Sequence, residues 1–215
     1  MATRGRCIRA ASLLLAGWLS VTTTLAAQHA IPSGTIQTGV LSFDGRGTLG
    51  DFTGTTSTMT GRLIGAADLS AVRGWVEAPV KTLLTGNGKR DKDLNKSMES
   101  EKYPTIRFDL TGVAPRAARG DTVAVTLLGT FHIHGVSHEA SIPATVALRP
   151  DAVEVRGDTP LNLKTYRIGG LSKALGLFRM EAEILVHLDL RFTTAPGGPA
   201  PQPPGELGRR ARQRT

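Results

Sequence analysis

The chain has 215 residues, with 26 Lys and Arg against 18 Asp and Glu, 40% hydrophobic residues, a formal charge of +8 and a single cysteine. Its excess charge sits at the ends: Arg4, Arg6 and Arg9 precede residue 28, and Arg209, Arg210, Arg212 and Arg214 follow residue 194 with one acid, Glu206, so the body is near neutral at 19 basic and 17 acidic residues. This argues against a basic nucleic-acid surface, which interleaved aromatics do not support either, and one cysteine rules out a disulfide framework within the chain.

Residues 1–27 read as a secretory signal peptide. Arg4, Arg6 and Arg9 form a positive start, an apolar run follows from Ala10 to Leu19, and small residues place cleavage near Ala26 or Ala27. The run is too short for a membrane span, so the expected product is periplasmic or secreted and not an integral membrane protein. Cys7 lies inside the signal, leaving the mature chain without a thiolate nucleophile or a cysteine for a lipid anchor.

Residues 28–194 read as one domain made almost entirely of strands. Gly34–Phe43 is rich in β-formers and ends at a turn signal, Asp44-Gly45. The Thr- and Gly-rich stretch Thr48–Leu63 predicts one or two bent strands, since glycine within strands marks bulges and sharp curvature. Val72–Leu83 reads as a long strand, with Pro79 near an edge or bulge. After the turn signal Gly86-Asn87-Gly88, Lys89–Ser100 predicts a short helix whose narrow apolar stripe is Leu94 and Met98. Tyr103-Pro104 stops it, and Thr105–Val113 resumes alternation through Ile106, Phe108 and Leu110.

Residues 121–148 form the clearest pattern: two long strands joined by a tight turn at Gly135-Val136. Val123, Val125, Leu127, Phe131 and Ile133 share one face, with Thr122, Thr126, Thr130, His132 and His134 on the other. Ile142, Ala144, Val146 and Leu148 repeat the apolar face on the return strand. A further strand starts at Val153 and continues through Thr159–Ile168, Gly169–Gly176 reads as a loop, and Met180–Phe192 is the last strand, with Ile184, Val186, Leu188 and Leu190 on one face. Residues 195–215 read as a disordered Pro/Gly/Arg-rich tail. The sum is an all-β fold of about eight strands and one short helix, which long alternating strands and frequent glycine favour as a single antiparallel barrel. A barrel of that size can enclose one apolar ligand.

Few residues here could carry catalysis. Gly-x-Ser-x-Gly is absent, GRGTLG at Gly45–Gly50 precedes a strand-like segment rather than the helix a phosphate loop needs, and Asp91 and Asp93 alternate with bases as a charged helix start would. His132 and His134, two apart, with His138 past the turn, could present imidazoles to a metal. Their threonine-rich face suggests instead outward polar histidines, His134 bonding the turn backbone. Large apolar residues at inward positions fit either an ordinary core or the lining of a lipid tunnel.

Three motifs resemble the YceI-like polyisoprenoid-binding family. Tyr103-Pro104-Thr105-Ile106-Arg107-Phe108 is similar to its Y-P-x-I-x-F signature, Arg90-Asp91-Lys92-Asp93-Leu94 to its R-D-x-x-L, and Gly129 through Ser137 (GTFHIHGVS) to its G-x-L-x-I-H-G-V-T, in the family's order and spacing. The resemblance covers about residues 34–192. It implies an elongated lipocalin-like barrel, exported, that holds an isoprenoid quinone or prenyl phosphate in a central tunnel, with no required cofactor and no catalysis; a homodimer is compatible with it. Two departures stand out. No histidine follows Phe43, and Arg167 replaces a glycine in Tyr166-Arg167-Ile168. The expected lining is Phe43, Phe52, Met98, Phe108, Leu127, Phe131, Ile133, Ile142 and Ile184. The competing readings are a metal-binding protein or enzyme built on His132, His134 and His138, and a structural or stress-interaction module whose barrel is solidly filled.

Overall fold

The computed structural model describes residues 31–119, 121–170, 172–173 and 178–194. The signal-peptide and tail readings, for 1–27 and 195–215, lie outside the described residues. The described elements are β1 (Gly34–Gly45), β2 (Phe52–Thr56), β3 (Thr60–Ile64), β4 (Arg73–Pro79), α1 (Gly88–Ser97), β5 (Thr105–Arg119), β6 (Thr122–Ile133), β7 (Val136–Leu148), β8 (Ala152–Asn162), β9 (Ser172–Lys173), β10 (Phe178–Arg179) and β11 (Glu183–Thr194). Eight of these strands close an antiparallel barrel in the order β1, β3, β4, β5, β6, β7, β8, β11, and β11 returns to pair with β1. The expected all-β barrel of about eight strands is thus the observed architecture.

Closure rests on β11, which pairs with β8 along one edge from Glu183 to Thr193 and with β1 along the other from Leu185 to Thr194. On its opposite edge β1 is shared. β3 pairs with Gly34 and Thr35, and β2 with Leu41 through Gly45. The Thr/Gly-rich segment is therefore two short strands laid along one neighbour.

Several boundaries differ from the sequence reading, each for a local reason. Ile133 pairs with Val136, so the hairpin turn is His134-Gly135, one residue earlier than expected. Both turn residues have positive φ, 53° and 71°, the geometry whose twist matches the flanking strands in a two-residue hairpin. β5 runs on to Arg119 because bulges at Leu110/Gly112 and Pro115/Ala117 restore pairing after each irregularity; a bulge tolerates the N–H that Pro115 lacks. β1 passes straight through Asp44-Gly45, which pair with β2 and β11 rather than turning. β4 stops at Pro79, and a single 3-10 turn, Val80–Thr82, buries Val80 completely. Within the expected loop Gly169–Gly176, Ser172 and Lys173 pair with Arg179 and Phe178 as a small separate hairpin.

Inward positions alternate down β6, β7, β8 and β11, and Val125, Ile142, Val153 and Phe192 are among the most deeply buried side chains. At roughly 1.5–3 kcal/mol for each large apolar side chain taken out of water, this face is what holds the sheet closed. The Arg107 guanidinium lies over the Trp75 ring of β4, 4.6 Å from its centroid.

The outer face of the closing seam carries an imidazole clamp. His187 on β11 places Nδ1 2.6 Å from Asp158 Oδ1 on β8 and Nε2 3.1 Å from Asp44 Oδ2 on β1. Thr53 Oγ1 donates to the same Asp44 side chain at 2.7 Å. Hydrogen bonds donated to Asp158, then Asp44, hold the His187 pKa above its ordinary 6.5, and those that Asp44 accepts from Thr53 and His187 hold it below its ordinary value. A raised folded pKa means that the clamp contributes fully below the unfolded histidine value and fades as pH climbs through the folded one. The Asp44 contribution is present above its unfolded value and fades as acid takes pH through its lowered folded one. We expect the melting temperature to fall as pH rises above the ordinary histidine value of 6.5, less steeply in His187→Gln. Equal slopes in a thermal-shift series would show that the clamp adds nothing.

Candidate functional site

Helix α1 lies across one end of the barrel, and the local sequence explains how it is anchored. Asn87 caps it, its side-chain oxygen accepting from the Lys89 and Arg90 backbone N–H groups at 3.1 Å each, which satisfies two donors the helix start would otherwise leave free. Asp91 Oδ1 accepts from the Thr85 N–H at 2.8 Å and from its hydroxyl at 2.6 Å, tying the helix to the preceding loop. Arg90 lies over the Phe52 ring at 4.2 Å, and the Phe52 and Phe43 rings meet edge to face at 6.1 Å.

The far end of the helix is latched to the β6–β7 turn. The His134 ring is buried, packed 4.7 Å from the Tyr103 ring, and Tyr103 in turn lies against Gly135, where an added Cβ would come within 2.5 Å of it. His134 Nδ1 donates to the Tyr166 carbonyl oxygen at 3.0 Å, so Nδ1 carries a proton. Nε2 lies 3.3 Å from Glu99 Oε1, just past the helix, without hydrogen-bond geometry. Backbone strain gathers at this latch. Glu99 (φ 45°), His134 (φ 53°) and Arg167 (φ 56°) are the non-glycine residues in the left-handed region among the described residues.

Beneath the helix is a cavity of about 420 Å³, within the size range of small-molecule sites. Its walls are Leu41 and Phe43 of β1, Ile106 of β5, Phe131 and Ile133 of β6, Leu161 of β8 with Leu163 beyond it, and Ile184 and Val186 of β11. Leu94 and Met98 close it from the helix, and Gly47–Gly50 and Phe52 complete the rim. Lys89, Arg90, Asp93 and Arg179 are the charged residues that border it. The interior is thus apolar and the entrance polar, an arrangement suited to a molecule with an apolar body and a polar end.

Of the residues expected to line a tunnel, Phe43, Phe52, Met98, Phe131, Ile133 and Ile184 border this cavity. Phe108, Leu127 and Ile142 do not; they are buried in the core. The Phe108 ring packs against Phe131 on the adjacent strand, centroids 4.8 Å apart. It occupies the space over Gly129, where an added Cβ would lie 2.5 Å from it. Leu41, Ile106, Leu161, Leu163 and Val186, not singled out from sequence, share the lining; their inward alternation was the available signal.

The histidines do not converge. His132 faces outward between Asp109 (Nε2 to Oδ2, 2.9 Å) and Ser137 (Nδ1 to Oγ, 2.7 Å). His138 meets the Tyr166 ring edge to face at 5.3 Å. His134, expected outward and bonded to its own turn, is instead buried and bonded to a carbonyl 32 residues away. The reason is the turn: as its first residue, His134 leaves the strand alternation and swings under the helix end. Among the described residues no group of three or more His, Cys, Asp or Glu is placed to hold a metal ion. Among the same residues no helix is long and apolar enough to cross a membrane.

A family model described as YceI-like domain matches residues 24–192. A search of curated proteins found no match. Solved structures share the fold at low identity. A polyisoprenoid-binding domain from Saccharophagus degradans, implicated in plant cell wall breakdown, is 14% identical with a TM-score of 0.64, covering 77% of this chain and all of that one (100%). Burkholderia cenocepacia BcnA is 15% identical with a TM-score of 0.61, covering 71% of this chain and 95% of that one. The Campylobacter jejuni YCEI protein is 15% identical with a TM-score of 0.53, covering 66% of this chain and 84% of that one.

Arg167 stands where the resemblance leads one to expect glycine, and its φ of 56° is the region a side chain resists by roughly 1–2 kcal/mol. Glycine's greater freedom in the unfolded chain offsets part of that. Arg167→Gly is therefore expected to stabilise the fold by about 0.5–1 kcal/mol in urea unfolding. A loss of stability would show that the arginine side chain contributes more than its backbone costs.

Proposed function

We propose, proceeding from the fact that this chain belongs to the YceI-like domain family, that it is an exported, non-enzymatic protein that carries or sequesters an isoprenoid or similar amphiphilic lipid. The observation that carries this reading is the apolar cavity under α1, open at a polar rim. An apolar tail placed there gains about 0.8 kcal/mol for each CH₂ removed from water, so it binds without directed polar contacts. Among the described residues the lining pairs no hydroxyl with a histidine and holds no second carboxylate beside Asp93, and His134, near the helix end, is committed to the Tyr166 carbonyl. The polar end of the ligand, a quinone ring or a prenyl phosphate, sits at the rim beside Lys89 and Arg90. No separate cofactor takes part. The cavity weighs against a solidly filled barrel, and the three separated histidines weigh against a shared metal centre.

Organic extraction of the purified protein is expected to release a lipid, and the emptied protein is expected to take up a prenyl quinone. Leu94 faces the cavity from the helix and is only half-buried, so Leu94→Asp should fold while placing a carboxylate against the tail, weakening uptake by about tenfold or more. Absence of both an extracted lipid and any uptake, read by mass spectrometry and quinone absorbance, would overturn the proposal.

A further inference from the structure

We infer that the mouth of the barrel docks on an anionic membrane surface, with the outer face of α1 supplying the charge and the Leu49 loop an apolar foot. The purpose of such docking rests on the tail-binding reading above, since a bilayer is where an amphiphilic lipid is taken up and released.

Helix α1 sorts its side chains by face. At about 100° per residue, Lys89, Lys92 and Lys96 fall within roughly 60° of one another, on the side turned away from Leu94 and Met98. All three are exposed, and among the described residues none has an ion-pair partner. The acids of the helix lie elsewhere: Asp91 is bonded to Thr85, and Asp93 borders the cavity. Farther down the barrel, cations are matched, Arg107 by Asp109, Arg149 by Glu154, Arg156 by Asp189 and Arg191 by Glu154. Like charges one turn apart repel, and Lys89 in the first turn also opposes the helix dipole. The lysine row is therefore unfavourable for the isolated fold, and an anionic surface reverses that sign.

The second observation is apolar. Leu49 at 76% and Leu84 at 54% are the most exposed large hydrophobic side chains among the described residues. Leu49 borders the cavity mouth, and Leu84 lies shortly before the Asn87 cap. The loop that carries Leu49 is pinned. The Gly50 N–H donates to the Gly47 carbonyl at 3.0 Å, the Thr48 N–H donates to the Arg179 carbonyl at 2.9 Å, and Gly50 takes a φ of 103° that only glycine adopts freely. A tight turn fixed at its base thus presents a leucine outward, where water opposes it. Cations draw anionic head groups, and an apolar side chain beside them enters the boundary with the acyl chains. Because this loop also borders the cavity, docking sets the mouth against the bilayer, and a tail passes between two apolar phases without crossing bulk water.

The test is co-sedimentation of the purified protein with vesicles of mixed phosphatidylglycerol and phosphatidylcholine, beside vesicles of phosphatidylcholine alone. Binding is expected to the anionic vesicles only, and it should weaken as salt rises from about 0.1 M to about 1 M and the screening length falls to about 3 Å. Lys92→Gln with Lys96→Gln should lower vesicle affinity by about tenfold or more. The same double variant should slow uptake of a long-chain prenyl quinone from those vesicles and leave uptake of a short-chain one from water unchanged. In Leu49→Trp, added anionic vesicles should shift the tryptophan emission to the blue. Failure to bind anionic vesicles, equal binding to both kinds, binding that the double variant does not weaken, or an unmoved Leu49→Trp emission overturns the docking face and leaves tail binding standing. Vesicle binding with all the expected variant effects but no quinone uptake from either source overturns tail binding and leaves the docking face standing.

Discussion

Everything in this molecule depends on one strand, β11, pairing along both edges. An antiparallel sheet left open would expose a row of unpaired N–H and C=O groups and an apolar face with nothing to cover it. β11 removes both problems by joining β8 to β1, strands that lie at opposite ends of the sheet order. The closure is nonlocal, so loop entropy must be met before the pairing rewards it. This is why the seam is reinforced on its outer face. His187 bonds across to both neighbours at once, and Arg191 further along β11 reaches Glu154 of β8 and Gln37 of β1. Exposed ion pairs contribute little individually. Here they act at the one place where register decides whether the barrel closes.

The three motifs that carry the family resemblance meet at a single end of that barrel. From the first, Arg90 stacks on Phe52 and Asp91 holds Thr85, which sets the helix across the mouth. The second contributes Tyr103 against the His134 ring, Ile106 in the wall and Phe108 packed against Phe131. From the third come the Gly129 vacancy that Phe108 fills, the wall residues Phe131 and Ile133, and the strained turn at His134-Gly135. Most of these residues position one another rather than face the cavity. A motif of this kind records how the helix is held across the barrel mouth, and the free volume beneath it follows.

Strand alternation made the barrel legible, because the period of two states directly which side chains must be buried together. The helix was legible through Leu94 and Met98 at a spacing of one turn. What escaped has a common cause: it depends on a residue leaving its local pattern. His134 reads as the next outward position of β6, yet a positive φ turns it inward beneath Glu99. Phe108 reads as one more inward aromatic, and only the glycine across the strand pair lets its ring lie over the neighbouring strand. β5 reads as ending at Val113 because Pro115 breaks the pattern, and bulges absorb the interruption. At Arg167 the comparison ran the other way. A missing glycine was visible in the sequence, and the backbone there keeps the left-handed conformation that glycine would adopt freely.

The division of the barrel into an open end and a filled end follows from stability. An open apolar pocket under α1 forgoes packing contacts that a filled core would make. A chain without disulfides in its body has only its core to offset such a cost. Val125, Ile142, Val153 and Phe192 supply much of that core. Extending the cavity down the lumen would remove the contacts that keep the strands closed, so capacity and closure compete for the same inward positions. A tail bound under α1 eases that competition, because it restores apolar contact to the open end without taking any from the closed one.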